Sequence, residues 1–241
     1  MIFAAGLGTR LRPLTNDIPK ALVPVAGVPM LERVARRLVA AGAHRLVINV
    51  HWFADRVERF VEEKDGFGVE AVVSREEERP LETGGGLLRV LERGLLEAKE
   101  PFFLHNADVI TDLPLVDMYA AHVERGALVS MAVMRRHATR DLLFDERGLA
   151  GHTDRKGTTR WVREPVSETT SLGFSGVHVA SPELGERITE EGVFSIIWPY
   201  LRLAGEGEPV LPFRVDGCTW LDIGSAERLA EAERLVEAEE G

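Results

Sequence analysis

Apolar residues in this chain fall into two alternating patterns: short continuous runs, and longer stretches in which they recur every three or four positions. The opening Met1-Ile2-Phe3-Ala4-Ala5 is of the first kind and reads as the end of a buried parallel strand that feeds a loop. Residues 29 to 42 are of the second kind, with Leu31, Val34, Leu38 and Ala41 on one helical face and Gly42 as the stop. The β-branched run 46 to 50 follows as a strand. The same alternation predicts strands over 69–73, 101–110, 127–134, 172–180 and 210–215, and helices over 84–98, 114–125 and from about 225. Strands separated by helices imply right-handed crossovers and a mainly parallel sheet, hence a Rossmann-like, three-layer α/β/α fold. Between 140 and 165 the regularity fades, leaving Leu142-Leu143-Phe144 and Trp161-Val162 as short strands. Met30, Met118, Met131 and Met134 fall on apolar positions and read as core.

Composition narrows the class. The 241 residues contain no linker-like tract, so a single domain over 1–241 is expected. One cysteine, Cys218, excludes an internal disulfide framework and cysteine-based zinc clusters, and the histidines lack metal-ligand spacing. Neither a signal peptide nor a membrane-length apolar run is present, which fits a cytoplasmic protein without a membrane partner. The net charge of −10 argues against nucleic acid as a partner. Its distribution is uneven: residues 1–45 hold seven Lys/Arg and two acids, giving +5, which leaves −15 for the remainder. Such focusing suits a small anionic ligand. The excess acid reads as solvated helix faces, such as Glu76-Glu77-Glu78 and Glu237-Ala238-Glu239-Glu240.

The positive end carries the main motif, Gly6-Leu7-Gly8-Thr9-Arg10-Leu11-Arg12-Pro13, followed by Pro19-Lys20-Ala21-Leu22-Val23-Pro24. Glycines let main-chain N–H groups approach an anion, and Arg10 and Lys20 supply charge, so the segment reads as a polyphosphate cradle. It is not a dinucleotide fingerprint, since Leu11 stands where the third glycine belongs and Pro13, Pro19, Pro24 and Pro29 prevent an immediate helix. Nor is it a P-loop, because no Gly-Lys-Ser/Thr follows.

These residues, together with Pro80-Leu81-Glu82-Thr83-Gly84-Gly85-Gly86, Asn106-Ala107-Asp108-Val109, Phe174-Ser175-Gly176-Val177 and Trp220-Leu221-Asp222-Ile223-Gly224, resemble the sugar-1-phosphate nucleotidylyltransferases over essentially the whole chain. Leu81 to Gly86 and Ile48 to Trp52 look most like the N-acetylmuramic acid 1-phosphate uridylyltransferases within that family. The resemblance implies a nucleotide-diphospho-sugar transferase fold with a small sugar-side lobe at 140–165. It implies transfer of a nucleotidyl group from a nucleoside triphosphate, with UTP preferred, to a sugar 1-phosphate. The C-terminal β-helix of bifunctional members is not expected, because the chain ends in a helix. The family's first strand usually runs a few residues longer, so an earlier start is expected.

By the same resemblance, Arg10, Lys20 and Asp108 are catalytic. Asp108 and Asp222 hold magnesium, an ion that prefers carboxylate, phosphate and water oxygens. Ala5, Gly6, Leu7, Gly8, Thr9, Arg10, Lys20, Leu81, Thr83, Gly84 and Asn106 bind the nucleotide, the glycines of the 81–86 loop allowing close approach to a base at a helix N-terminus. Arg12 is as readily solvated as ligand-bound. Two departures stand out. Arg75-Glu76-Glu77-Glu78-Arg79 replaces the stretch where relatives carry a base-reading glutamine, and Arg163-Glu164-Pro165 replaces a Glu-Lys-Pro whose lysine grips the sugar phosphate. Glu164, Arg163 and Gly176 are therefore the expected sugar-side residues, with Arg163 standing in for the missing lysine. His51 and Trp52 read as an aromatic cap packed over the sheet. Guanylyl transfer to mannose 1-phosphate, cytidylyl transfer to a choline-type phosphate and a non-catalytic nucleotide-sugar sensor remain as alternatives; the sugar, the base and the oligomeric state stay open.

Overall fold

The computed structural model describes residues 1–96, 99–136, 141–154 and 156–240. In chain order its elements begin with β1 (Ile2–Phe3), the hairpin β2 (Pro24–Val25) and β3 (Val28–Pro29), and α1 (Met30–Ala40). Next come β4 (Arg45–Val50), α2 (Ala54–Glu63), β5 (Glu70–Arg75), α3 (Glu82–Glu92), β6 (Phe102–Asn106), β7 (Val109–Thr111) and α4 (Leu115–Glu124). The second half adds β8 (Val129–Met134), β9 (Asp141–Asp145), β10 (Gly148–Thr153), β11 (Thr159–Trp161) and β12 (Thr170–Ala180). It ends with α5 (Leu184–Arg187), α6 (Ile197–Gly205), β13 (Val210–Arg214), β14 (Trp220–Asp222) and α7 (Ala226–Glu240).

The short apolar β1 lies at the centre of the sheet, parallel to β4 on one side and β6 on the other, with Ile2 paired to Ile48 and His105. Burial on both faces explains its lack of alternation. Parallel β5 extends the row beyond β4, and beyond β6 comes β12, antiparallel to both β6 and β8, while β8 pairs in parallel with β13. The sheet is thus mainly parallel and mixed, as expected. Helices α1, α2 and α4 cover one face through Leu31, Leu38, Val57 and Met118; α3 and α6 cover the other through Leu87, Val90, Tyr200 and Leu201. All four methionines assigned to the core are buried.

The irregular stretch is a small antiparallel lobe. β9, β10 and β11 form a meander, and β9 pairs with the first residues of β12, so that one long strand belongs to both the main sheet and the lobe. Between Phe174 and His178 the pairing of β12 with β8 shifts register, and Gly176 takes φ +77° there.

Several boundaries differ from the sequence reading. The strand expected over 101–110 breaks at Ala107-Asp108, after which β7 pairs with β14 in a separate ribbon. The helix expected over 84–98 ends at Glu92, and residues 97 and 98 lie outside the described set. Helices α2 and α6 and strand β10 are additions that the apolar pattern does not predict. α2 buries only Val57 and Val61, too few to set a period, whereas α6 buries six of its nine residues and has no polar face to mark one.

Candidate active site

The carboxyl ends of β1, β4 and β6 open into a cavity of about 410 Å³. Ala5, Gly6, Leu7, Gly8, Thr9, Arg10 and Lys20 line it from one side, Thr83 from another, and Asn106 and Asp108 from the floor, so ten of the expected residues converge there. After β1 the chain makes three single 3₁₀ turns instead of a helix, as the prolines require. Gly8 sits at φ +64°, and a Cβ there would lie 2.9 Å from the Thr15 methyl; the Thr15 hydroxyl donates to Gly8 O at 2.7 Å. The loop is pinned from behind, and the N–H groups of Gly6, Leu7 and Gly8 donate to no acceptor among the described residues. Unpartnered N–H groups on a loop pinned in this way are the kind of donors an anion site uses.

Lys20 forms an ion pair with Asp108 at the cavity floor, with side-chain exposures of 12% and 29%. Asp108 is also tied to the β14 segment, since Ile223 N donates to Asp108 O at 3.0 Å. Asp222, paired across the ribbon with Val109, accepts from Gly224 N at 2.8 Å and lies 3.4 Å from Arg228. A Cβ on Gly224 would fall 3.2 Å from an Arg10 nitrogen and collide with Asp222 Oδ1, so guanidinium and carboxylate face the same glycine. The two carboxylates therefore stand on adjacent segments; Asp108 lines the cavity, whereas Asp222 does not line it but adjoins Gly224, which does. No group of three or more His, Cys, Asp or Glu among the described residues is placed to hold a metal. A pair of partly exposed carboxylates, with no nitrogen or sulfur donor, fits magnesium, which binds through one or two carboxylates and takes its other ligands from phosphates and water.

The loop 81–86 departs from its expected chemistry. A Cβ on Gly84 would collide with the Phe194 ring, one on Gly85 with Gly192 O, and one on Gly86 would lie 2.6 Å from Asn49 Nδ2 and 2.8 Å from Glu76 Oε1. The three glycines admit protein atoms, not a base. The N–H groups of Gly84 and Gly85 are likewise engaged, both donating to Phe194 O at 2.9 and 3.2 Å, and Thr83 Oγ1 accepts from Ile196 N at 3.0 Å. Gly84 and Leu81 do not line the main cavity; Pro80, Glu82 and Thr83 do, with Glu82 held at φ +59°.

Glu76, expected on a solvated helix face, is 2% exposed and lies beyond β5 outside any helix. Its Oε2 accepts from Leu81 N at 2.7 Å and its Oε1 from Asn49 Nδ2 at 2.5 Å. Asn49 Oδ1 in turn accepts from Ala4 N at 3.0 Å. The chain of bonds joins the start of the N-terminal loop to the start of the 81–86 loop beneath the cavity. Burial pushes the Glu76 carboxyl up, opposed by the Leu81 and Asn49 donors. Sequence reasoning misses both as site residues; a polar residue inside the apolar run 46–50 is the available signal for Asn49.

On the lobe side the structure does not bring Arg163 to the cavity. Its guanidinium forms a two-pronged pair with Asp145 at 2.5 and 2.7 Å and also donates to Leu149 O and Gly148 O, which holds Asp145 well below the usual carboxylate range. Arg163 lies in a bend beyond the end of β11, outside any strand, and its bonds to Asp145 of β9 and to the β10 carbonyls keep it in the lobe. Glu164 is exposed and outside the cavity lining. Gly176 makes room for a protein group, since a Cβ there would lie 2.8 Å from Asn106 Nδ2. Trp52 is 43% exposed, with its ring 4.8 Å from Phe53, so it does not cap the sheet. His51 reaches Glu76 O at 2.5 Å.

An anion loop, an adjacent carboxylate pair and a mainly parallel mixed sheet define a nucleotide-handling transferase, and similarity to known proteins agrees. The chain belongs to the nucleotidyl transferase family, whose model matches residues 1–142. Within it the chain is a sugar-1-phosphate nucleotidylyltransferase, similar to N-acetylmuramate alpha-1-phosphate uridylyltransferase of Caulobacter vibrioides at 35% identity over 99% of this chain and 97% of that protein. It is also similar to the mannose-1-phosphate guanylyltransferase catalytic subunit beta of Drosophila pseudoobscura pseudoobscura, 33% identical over 93% of this chain but only 58% of the relative. The structure of a putative glucose-1-phosphate thymidylyltransferase from Bacillus anthracis superimposes with TM-score 0.80 at 16% identity, covering 97% of this chain and 93% of that one, which speaks for the fold alone.

Proposed function

We propose that the enzyme transfers a uridylyl group from UTP to N-acetylmuramic acid 1-phosphate, releasing pyrophosphate. The observation that carries this reading is similarity over 97% of a uridylyltransferase, where the guanylyltransferase match spans little over half of its relative. Nucleotidyl transfer brings an attacking phosphate oxygen, an α-phosphorus and a pyrophosphate leaving group together, all anionic, so catalysis is mostly positioning and charge neutralisation.

In this reading the open N–H groups of Gly6, Leu7 and Gly8 receive the triphosphate, and Arg10 neutralises the departing pyrophosphate. Lys20 exchanges its bond to Asp108 for a phosphate oxygen next to the reacting phosphorus when the nucleotide enters. Asp108 and Asp222 hold magnesium, which when bound would supply charge neutralisation for the phosphate oxygens. Pro80, Glu82 and Thr83 border the base. No helix among the described residues is long and apolar enough to cross a membrane.

The test is a matrix of UTP, GTP, CTP, dTTP and ATP against several sugar 1-phosphates, read by pyrophosphate release with magnesium present. UTP with N-acetylmuramic acid 1-phosphate is expected to give the highest kcat/KM. A clear preference for GTP with mannose 1-phosphate would overturn the substrate assignment, and no transfer with any pair would favour a sensor.

A further inference from the structure

We propose that Arg136, just beyond β8, is the cation that receives the phosphate of the sugar 1-phosphate, filling the role that Arg163 cannot fill. The inference rests on reading the cavity as the nucleotide site and extends it to the second substrate.

Arg136 follows the carboxyl end of β8, at the same edge of the sheet as the cavity. Its guanidinium lies 3.9 Å over the Trp220 ring, and one of its terminal nitrogens donates to Phe174 O. Trp220 Nε1 donates to the neighbouring carbonyl, Ser175 O, at 2.7 Å. The pair thereby holds the stretch of β12 where its ladder with β8 changes register. Trp220 and Asp222, two residues apart on β14, share one face, which brings the guanidinium beside Asp222; the carboxylate's charge partly offsets the burial that lowers the Arg136 pKa.

Two further facts separate a ligand role from a purely structural one. Arg136 Nε is buried and has no hydrogen-bond partner among the described residues, so the fork has a donor that they leave unused. Two other cations near this edge are engaged, Lys20 by Asp108 and Arg228 by Asp222, and Arg163 is held away from it by Asp145 and two carbonyls. Arg10 and Arg136 therefore approach Asp222 from different partners, Arg10 beside the cavity glycine Gly224 and Arg136 beside Trp220 and the β12 bulge. In-line displacement needs the attacking phosphate and the leaving pyrophosphate on opposite sides of the α-phosphorus. Two guanidiniums disposed about one aspartate match that demand, with Arg136 on the attacking side.

The experiment compares wild type with Arg136→Ala, Arg136→Lys and Arg136→Gln, using whichever nucleotide and sugar 1-phosphate the wild-type enzyme turns over best. A wrong base or sugar then appears in the wild-type matrix and leaves the variant ratios interpretable. Loss of a charge-assisted contact is expected to raise KM for the sugar 1-phosphate about tenfold to a hundredfold in Arg136→Ala, with KM for the nucleotide within about twofold. Arg136→Lys should fall between, because an ammonium keeps charge without the fork. Arg136→Gln keeps a donor for Phe174 O but no charge, so it should restore thermal stability relative to Arg136→Ala while keeping the raised KM. An unchanged KM for the sugar 1-phosphate in Arg136→Ala would overturn the proposal. So would wild-type KM in Arg136→Gln, or equal loss for both substrates tracking the fall in Tm, since either would make Arg136 a strand clamp only.

Discussion

Replacing Glu76 by Gln tests the buried relay beneath the cavity, because it changes one oxygen to nitrogen with almost no change in volume. Both Glu76 oxygens accept from N–H donors, Leu81 N at 2.7 Å and Asn49 Nδ2 at 2.5 Å, an arrangement that only the ionised carboxylate satisfies fully. A glutamine can accept only one of the two, and its own NH₂ then faces the other donor. Asn49 cannot turn over to help, because its Oδ1 is already fixed by Ala4 N at 3.0 Å. One buried donor is therefore stranded, which costs about 1–3 kcal/mol. For a chain of this length, a loss of about 2 kcal/mol corresponds to a fall in Tm of about 4–8 °C. Because Leu81 opens the loop bordering the cavity, KM for the nucleotide should rise as well.

The decisive comparison is the double variant Asn49→Asp/Glu76→Gln. In it the new carboxylate at position 49 accepts from Ala4 N with one oxygen and from the new amide at position 76 with the other. The carbonyl oxygen of that amide accepts from Leu81 N, so every donor again has an acceptor and the net charge is unchanged. Each single variant should be destabilised in thermal melts at pH 8, and the double variant should recover most of the loss, giving a coupling of about 1–3 kcal/mol. Additive losses, or a Glu76→Gln variant as stable as wild type, would refute the relay.

Asp108→Asn and Asp222→Asn should each lower turnover by several orders of magnitude with little change in Tm, each factor of ten being about 1.4 kcal/mol of barrier; near-normal magnesium-dependent turnover in either would remove it from the metal site. Gly84→Ala, which drives a methyl into the Phe194 ring, should destabilise the fold by about 1–3 kcal/mol, read by calorimetry, and an unchanged Tm would show that the ring yields freely. His105, His122 and His178 are buried with pKa values lowered by desolvation to about 4, 4 and 3, against 6.5 when free. The unfolded chain therefore binds more protons as pH falls below about 6.5, so Tm should drop steadily from there toward pH 4 and be insensitive to these groups above pH 7; a level Tm over pH 6.5–4.5 would contradict their burial as neutral rings.

Which features are legible in the sequence depends on how far apart the interacting residues lie. The N-terminal loop is readable because its requirements are local: glycines that free the backbone, prolines that forbid a helix, and cations within a dozen positions. The sheet order can be approached because burial on both faces leaves continuous apolar runs such as 46–50. Glu76 cannot be read, since a run of three acids is ordinarily solvated and its partner Asn49, with Ala4 bound in turn to Asn49, lies far upstream, at 27 and 72 residues from Glu76. Arg163 is misread for the same reason; the carboxylate that captures it, Asp145, is 18 residues away at the end of β9. Gly84 and Gly85 belong to a compact signature whose meaning depends on Phe194 and Gly192, more than a hundred residues downstream.

The same split between local and distant contacts separates the two ends of the site. On the proposed reading the phosphate end is the N-terminal loop, which local sequence builds and whose N–H groups are left open. At the base end, the N–H groups of Gly84 and Gly85 and the hydroxyl of Thr83 are used to hold segment 194–196, and the position of Leu81 is set by Glu76. On the proposed reading base discrimination falls to the groups facing the cavity at Pro80, Glu82 and Thr83, whose placement depends on both supports. Disturbing Glu76 or the Phe194 contact should therefore alter the choice among nucleotides before it alters magnesium dependence, whereas disturbing Arg10 or Lys20 should weaken every nucleotide alike. The relay from Glu76 through Asn49 to Ala4 connects the two ends under the cavity floor, and it gives a physical route by which seating of the base can steady the loop that holds the triphosphate.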